Sequence, residues 1–585
     1  MTAEPPHRAD PVITEIVRNG VMAVTEEMKT NLMRTAYNMI IYEALDFTTG
    51  LFNTRGETLS IGLGLPMFIR GMAETLKAKL AHFGDDIEPG DILVTNDGYI
   101  TGSHLNHVTL SLPIFHEGKL TAFSVCMAHW LDIGGVLGGM TTDIYSEGLQ
   151  IPLLKLQRRG ELNQDLIDII EMNVHLPDRA MGDLRAQLTA VRTGERRFTE
   201  LLDRYGRDAV LAGMDAIMNK SERSARERTK TIPDGVYEAE SYMDDDGVDI
   251  GKRIPIRVKV TVRDDTMTVD LSDVSEQVRG FYNSGPSAGF GACQVAYKCL
   301  TSPTDYPIND GSFRSLDVIN PPGRVVSAVR PAPLRFWMTI PMTVVDTVFK
   351  AIAPAIPDRV AAGHFADLGL AQLYGYLPDE KRMIITSTGP IGGGWGAKQS
   401  EDGVSATVCI NDGDTHNNPV ELMETKYPVV YERYGLISDS GGPGRMRGGL
   451  GTEASVRMQK ALSLSTRIER MHCRPWGLEG GKEGRGNRVE LTVDGEHKTD
   501  LVNAKVFTAR MAPGDVFKVL GGGGGGFGPP WERSPERVRA DVRQGYVSLA
   551  CALEDFGVAL DPETLEIDLA ETGRLRRRLA AAQAV

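Results

Sequence analysis

A mixed α+β fold divided among several domains is what this sequence predicts, and three observations predict it. The first is length: 585 residues are more than one hydrophobic core organises, so the chain should split. The second is an N-terminal stretch of short β-branched runs separated by turn residues. The third is a change to helical periodicity near residue 163, which gives way after residue 232 to strands, helices and glycine-dense loops. The expected organisation is a β-rich, histidine-bearing region (11–142), a helical middle (143–232), a mixed α/β region with Gly-rich loops (233–530) and a helical tail (531–585).

In order along the chain, residues 1–10 read as a loose polar arm. From Pro11, apolar residues recur at three- and four-residue spacing (Ile13, Ile16, Val17, Val21, Val24, Met28, Leu32), with Asp10 as N-cap and Pro11 at the first helical position. Two strands should flank the turn Asn53-Thr54-Arg55-Gly56, a helix should cover about 66–83, and a buried strand Ile92–Thr95 should end at Asn96-Asp97-Gly98. A hairpin follows, VTLSLPIF and KLTAFSVCM around Glu117-Gly118. Helical patterns then run to about residue 230. RIPIRVKVTVRDDTMTVDLSDV is a second hairpin, turning at Asp264-Asp265, and MTIPMTVVDTVFKAIAPAIP is a buried helix. The tail from Glu532 should carry two short helices before the closing LRRRLAAAQAV.

Composition narrows the function classes. With 41% hydrophobic and 24% charged residues the chain reads as a soluble globular protein. A net charge of −14 argues against nucleic-acid binding, no window is apolar enough to span a membrane, and MTAEPPHRADP is no secretory signal. A cytoplasmic location is the expectation. The six cysteines (126, 293, 299, 409, 473, 551) form no CxxC pair and are expected in the core.

Chemistry concentrates between Thr95 and Gly139, which holds four of the eleven histidines. The hairpin carries His104, His107 and His129 to one end of its ribbon, and three imidazoles in one place suit a divalent metal: zinc first, with manganese or iron as alternatives. One geometric objection stands against this. If Glu117-Gly118 is a two-residue loop, His107 falls opposite Ala128 and faces away from His129. Either the ribbon bulges or His107 belongs to the loop. Asp132 is placed to orient an imidazole or act as a general base, or else to cap the turn into Gly134-Gly135. The glycine loops do not read as phosphate cradles: none matches G-x-x-x-x-G-K-[ST], and Gly480-Gly481-Lys482 runs into Glu483. Ser287 in SGPSAG lacks the G-x-S-x-G elbow.

Several long motifs carry a resemblance: TNDGYITGSHLNHV, AHWLDIGG, YSEGLQIPLLKL, GDLRAQLTAVRTGERR, NSGPSAG, GPIGGGWGAK, NNPVELMETKYPVVYERYGLISDSGGPGRMRGGLG and GGGGGGFGPP. In these, over residues 11 to about 530, the chain resembles the hydantoinase B/oxoprolinase family. The resemblance implies a metal-containing subunit partnered by a hydantoinase A-like, ATP-binding subunit of actin-like fold, in a hetero-oligomer. It implies ATP-dependent ring opening of cyclic amides (hydantoins, 5-oxoproline, lactams), with ATP-dependent carboxylation of ketones as the alternative. It maps metal ligands onto Asp46, His104 and His129. At position 107 the family usually has aspartate where this chain has His107, which moves metal preference toward zinc. A histidine is usual where Phe68 stands, and the Ser-Pro that usually precedes Asp46 is missing. The expectation is a cyclic-amide hydrolase subunit with metal on Asp46, His104, His107 and His129 and Asp132 as the catalytic acid–base. The remaining alternative is a non-catalytic structural subunit with an altered site.

Overall fold

In the computed structural model, which describes residues 10–301, 307–408, 410, 413 and 415–583, the N-terminal part is a seven-stranded sheet between helices. Apart from Asp10, the expected N-terminal arm lies outside the described residues, as does Cys409. Helix α1 (Pro11–Thr35) begins as its sequence predicts, the Asp10 carboxylate accepting from the Val12 and Ile13 amides. It stops at Ala36, and a separate turn of helix, α2 (Met39–Tyr42), starts from Asn38. There follow β1 (Phe47–Phe52), β2 (Thr58–Gly62), α3 (Phe68–Phe83), β3 (Ile92–Thr95), α4 (Gly98–Thr101), β4 (His107–His116) and β5 (Lys119–His129). Strands β6 (Leu154–Arg158) and β7 (Glu161–Leu162) join the same sheet, in the order β2-β1-β5-β4-β3-β6-β7. Helices α5 (Gln164–Asn173), α6 (Pro177–Tyr205) and α7 (Arg207–Thr229) complete this part.

The helical stretch is therefore no separate layer system. Its first two strands extend the histidine-bearing sheet, and α6 packs on α1 and on the β4–β5 hairpin. One core holds Val108, Leu110, Leu112, Ile114, Cys126 and Ala128 against α1 and α6. The opposite face, with Phe123, Val125 and Met127, packs on α3 in a core that continues into the next region.

That region contains β8 (Gly235–Met243), β9 (Ile254–Arg263), β10 (Thr266–Asp270), α8 (Pro286–Thr301), β11 (Leu316–Ile319) and α9 (Thr339–Ile352). The hairpin β9–β10 turns at Asp264-Asp265 as expected, and β11 adds in parallel to β10. Helix α9 lies across β8 and β9 with almost every residue buried.

The C-terminal part packs two sheets on one core. Its elements are β12 (Ala371–Leu377), β13 (Arg382–Ser387), α10 (Val420–Lys426), β14 (Val429–Leu436), β15 (Thr452–Met458), β16 (Leu462–Thr466), β17 (Arg488–Val493), β18 (Glu496–Lys498), β19 (Ala509–Met511) and β20 (Val516–Leu520). The sheet orders are β13-β12-β16-β19 and β14-β15-β20-β17-β18. Below them the glycine-dense loops stack backbone on backbone. The amides of Gly524, Gly525 and Gly526 donate to the carbonyls of Gly449, Gly363 and Lys482. A Cβ on Gly524 would stand 1.8 Å from the Trp395 carbonyl oxygen, so only glycine fits there. These amides are spent within the protein. Among the described residues the tail holds the two expected short helices, α11 (Pro535–Arg543) and α12 (Leu549–Glu554), and the closing segment forms a further one, α13 (Leu569–Gln583). Of the cysteines, Cys126 and Cys293 are buried, Cys473 and Cys551 are partly buried, and Cys299 is exposed, so the core expectation holds for two.

Candidate metal centre

The objection to the histidine hairpin is resolved by a β-bulge. Glu117 and Gly118 form the expected turn with φ of 50° and 72°. His116 pairs with Lys119 and Phe115 with Leu120, but Ile114 pairs with Ala122, leaving Thr121 as an extra residue on β5. From there the register is shifted by one, and His107 lies directly opposite His129 instead of Ala128. The apolar faces explain why. The buried side chains of β4 on the α6 side are Val108, Leu110, Leu112 and Ile114, and those of β5 are Ala122, Cys126 and Ala128. A bulge-free two-residue hairpin would put these sets on opposite faces, which one extra residue prevents.

The third imidazole comes from the turn between α4 and β4. His104 accepts the His107 amide through its backbone carbonyl, and its ring reaches the other two. Ring centroids stand 4.3 Å apart for His104–His107, 4.9 Å for His104–His129 and 5.1 Å for His107–His129. One ring nitrogen from each lies within 4.8 Å of the others. Asp46, which precedes β1, joins from the other side. Leu45 turns the chain with φ of 61°, the Asp46 carbonyl accepts the His129 amide, and the Asp46 Oδ1 lies 3.1 Å from His107 Nε2. Asp46 thus reaches the cluster through His107.

The protonation state suits a cation. His104 Nδ1 lies 3.1 Å from the Arg335 carbonyl oxygen, which only accepts, so Nδ1 carries the proton and Nε2 keeps a lone pair. His107 places its Nε2 3.1 Å from Asp46 Oδ1, which engages that nitrogen and leaves Nδ1 as the one without a partner. His104 Nε2, His107 Nδ1 and His129 Nδ1 are all buried without a hydrogen-bond partner. Burial, followed by the neighbouring imidazoles, holds His104 well below the usual histidine range. Burial draws His129 down to about 4, with the Asp46 carboxylate opposing. Buried ring nitrogens without partners cost stability unless something engages them, and a divalent metal does so. The residues present fit such an ion.

Around the cluster, Phe68 at the start of α3 packs on the His107 ring at 4.4 Å, and Trp337 closes the same side at 5.8 Å. Helix α6 fixes the backbone from the opposite face with two buried polar residues one turn apart. Asp183 Oδ1 accepts the amides of Tyr37 and Asn38, and the Asn38 side chain donates to the His129 carbonyl. Gln187 accepts from the Trp130 indole and donates to the Val108 carbonyl, next to His129 and His107 respectively. These two residues sit in the quoted motif GDLRAQ, and an i, i+4 pair of polar residues on a buried helix face was the signal for them. Glu147 of the motif YSEGLQ accepts from the Thr141 hydroxyl and the amides of Leu334 and Arg335, so it fixes the carbonyl that orients His104. Burial pushes Glu147 up to about 7.

Asp132 takes the second of its two expected roles, the cap of the turn into Gly134. Its Oδ1 accepts from the Gly134 amide and lies 2.9 Å from His175 Nδ1, and its Oδ2 accepts from the Leu176 amide. These contacts cap the turn into Gly134 and tie it to the start of α6; none goes to the three imidazoles. Asp97 caps α4 and pairs with Arg330, away from the cluster.

A cavity of about 140 Å³ opens in front of the centre, between the N-terminal sheet and the C-terminal strands β12 and β13. Asp46, His104, His129 and Asp132 line one side; Leu368, Leu370, Gln372 and Ile385 line the other, with Arg335 and Arg467 between. His107 has 0% exposure and stands behind its two neighbours.

An α+β protein with a three-imidazole centre opening on a cavity between its N-terminal sheet and strands β12 and β13 is the class that fold and site define. Within that class, a model of the Hydantoinase B/oxoprolinase family matches residues 10–530, and the chain belongs to that family. It is 32% identical to caprolactamase subunit beta of Pseudomonas jessenii over 94% of this chain and 96% of that one. The crystal structure of ATP-dependent caprolactamase from Pseudomonas jessenii superposes with a TM-score of 0.90 at 29% identity, covering 97% of this chain and 99% of that one. A nucleotide-free structure of acetone carboxylase shares the fold, with a TM-score of 0.90 at 19% identity over 98% of this chain and 83% of that one. Among the described residues no helix is long and apolar enough to cross a membrane.

Proposed function

We propose that this chain is the metal-bearing subunit of an ATP-dependent cyclic-amide hydrolase and works with a separate ATP-binding subunit. The observation that carries the reading is the set of three buried ring nitrogens without hydrogen-bond partners, with the imidazoles of His104 and His129 lining the cavity. The similarity to a caprolactamase subunit supports lactam-type chemistry and a partner chain. The ATP-binding subunit would phosphorylate the amide oxygen; a first water added at this centre would then break the C–N bond, freeing the amine and leaving an acyl phosphate, which a second water would cleave to carboxylate and phosphate.

His104, His107 and His129 would hold the ion, with Asp46 keeping His107 in the tautomer whose free nitrogen faces inward. Bound there, a divalent metal supplies Lewis acidity and lowers the pKa of a coordinated water. An all-imidazole set favours zinc, with manganese and iron next. Arg335 holds the His104 tautomer through its carbonyl. Asp132 acts as a positioning residue, fixing the Gly134 turn that forms part of the cavity wall. Leu368, Leu370 and Ile385 exclude bulk water from the reacting carbonyl.

The test is to purify the chain with its ATP-binding partner, measure metal by mass spectrometry and assay lactams and hydantoins with ATP. About one divalent metal per chain and ATP-dependent ring opening, both lost in His104→Ala, are expected. Incorporation of labelled bicarbonate in place of ring opening would replace the hydrolase with a ketone carboxylase. Less than about half an equivalent of metal, unchanged by His104→Ala, would leave a structural subunit.

A further inference from the structure

Two arginines line the same cavity without an acid to pair with. Arg335 lies in the segment before α9, and Arg467 follows β16; both line the cavity. Their Nη2 atoms converge on one acceptor, the Leu137 carbonyl oxygen, at 3.2 Å and 3.5 Å. Arg467 also donates to Gln372 Oε1 at 2.7 Å, and its guanidinium lies over the Phe281 ring. Neither group is saturated, since Arg335 Nη1 and Arg467 Nε are buried with no acceptor. Among the described residues no carboxylate comes within 4.0 Å of either guanidinium. Glu147, whose charge both feel, spends its oxygens on Thr141 and on the amides of Leu334 and Arg335.

Two cations drawn from water beside one another are unstable unless an anion joins them. Burial first, and then the Arg335 charge, pull Arg467 down to about 9. Guanidinium is also the side chain whose planar fork matches a carboxylate or phosphoryl group. The pair is coupled to the metal centre by a single residue, because Arg335 orients His104 with its carbonyl while its guanidinium enters the cavity.

We infer that Arg335 and Arg467 form an oxyanion seat for the substrate, so that the preferred cyclic amide carries a carboxylate held there while its ring lies on Leu368, Leu370 and Ile385. The inference rests on reading this cavity as the substrate site. An oxyanion at the pair has a second source, the phosphoryl group acquired during the reaction, and the two are separable by experiment.

Equilibrium binding to the full chain, without partner or ATP, tests the seat independently of turnover. The probes are 2-pyrrolidone-5-carboxylate, 2-pyrrolidone and inorganic phosphate, measured by calorimetry. Wild-type protein should bind the carboxylate at least tenfold more tightly than 2-pyrrolidone. Arg335→Gln and Arg467→Gln should each remove about tenfold of that preference, while 2-pyrrolidone binding stays unchanged. Arg467→Lys, which keeps the charge and the stem over Phe281, should retain part of it and guards against an unfolded glutamine variant. Binding of phosphate, but not of the carboxylate, that is lost in the same variants would also support the seat and assign it to the phosphoryl group. Equal affinities for both lactams with no phosphate binding, or affinities unaltered by the arginine substitutions, would overturn it. Because these readouts need no catalysis, a failed ring-opening assay with intact carboxylate binding would count against the hydrolase reading alone.

Discussion

Phe68 and His107 stand edge to face, ring centroids 4.4 Å apart and planes at 65°. They are also the two positions at which the chain departs from the histidine and aspartate that its family resemblance implies. The two departures are therefore in direct contact. The Phe68 ring takes a site where a second imidazole would compete for a proton or a metal, and the His107 ring fills the space that a shorter carboxylate would leave.

From this contact, His107→Asp should place a carboxylate beside Asp46, behind the apolar wall of Phe68 and Trp337. Two close carboxylates cannot both ionise without a cation. Metal-free H107D should melt several degrees below wild type and regain most of the loss on adding manganese, with the bound zinc-to-manganese ratio falling. Adding Phe68→His should show a coupling of about 0.5–3 kcal/mol in a double-mutant cycle. A melting temperature indifferent to manganese would contradict the account.

Asp46→Asn keeps the shape of the side chain but removes the charge that fixes the His107 tautomer. Losing such a partner typically costs about 10–100-fold in metal affinity. Competition with a chromophoric chelator should register a decrease of that size, with the circular dichroism of the fold unchanged.

Asp183 provides a pH test outside the cluster. Burial pushes its carboxyl up to about 7, above the value near 3.9 of an unfolded aspartate. The folded protein therefore binds this proton more tightly than the unfolded chain, so the stability it contributes falls as pH rises from about 4 to about 7. Oδ1 takes both backbone donors, whereas Oδ2 is buried without a partner, which is where the proton sits. Asp183→Asn keeps Oδ1 and removes the titration. Between pH 5 and 8 its melting temperature should decline less than that of wild type, and at pH 8 it should equal or exceed it. Parallel curves for the two proteins would sink the argument.

Gly524→Ala should be among the most damaging small substitutions in the chain, since its Cβ would lie 1.8 Å from the Trp395 carbonyl oxygen, and that backbone cannot move alone. A loss of at least about 3 kcal/mol is expected, visible as insolubility or a large drop in melting temperature. Gly435→Ala is the control, because a Cβ there meets nothing within 4 Å.

Much of this architecture could be read from local pattern. Asp10 and Pro11 at the start of α1, the Glu117-Gly118 turn and the Asp264-Asp265 hairpin follow from short-range chemistry, and the structure has them where the pattern placed them. The Thr121 bulge is of an intermediate kind. The turn alone implied the wrong register, but Val108, Leu110 and Leu112 already had the same parity as Ala122, Cys126 and Ala128, and only a bulge reconciles the two signals.

Other features rest on contacts that no local pattern carries. Asp132 sits three residues from His129, yet its partners His175 and Leu176 lie more than forty positions later, and they engage both of its oxygens. Arg335 and Arg467 come from separate regions and meet only on the Leu137 carbonyl. The break after α1 has no proline or glycine in Ala36–Asn38 to announce it; there Asp183 captures the amides of Tyr37 and Asn38.

The stacked glycine loops have a kinetic consequence. They join Gly363, Trp395, Gly449, Lys482 and Gly524, segments far apart in the chain, through backbone hydrogen bonds. Few of these bonds can form until several segments have arrived, so loop closure must precede any stabilising return. The C-terminal sandwich should therefore assemble late and as one unit, with the amides of Gly524, Gly525 and Gly526 among the slowest to exchange with solvent once it has closed.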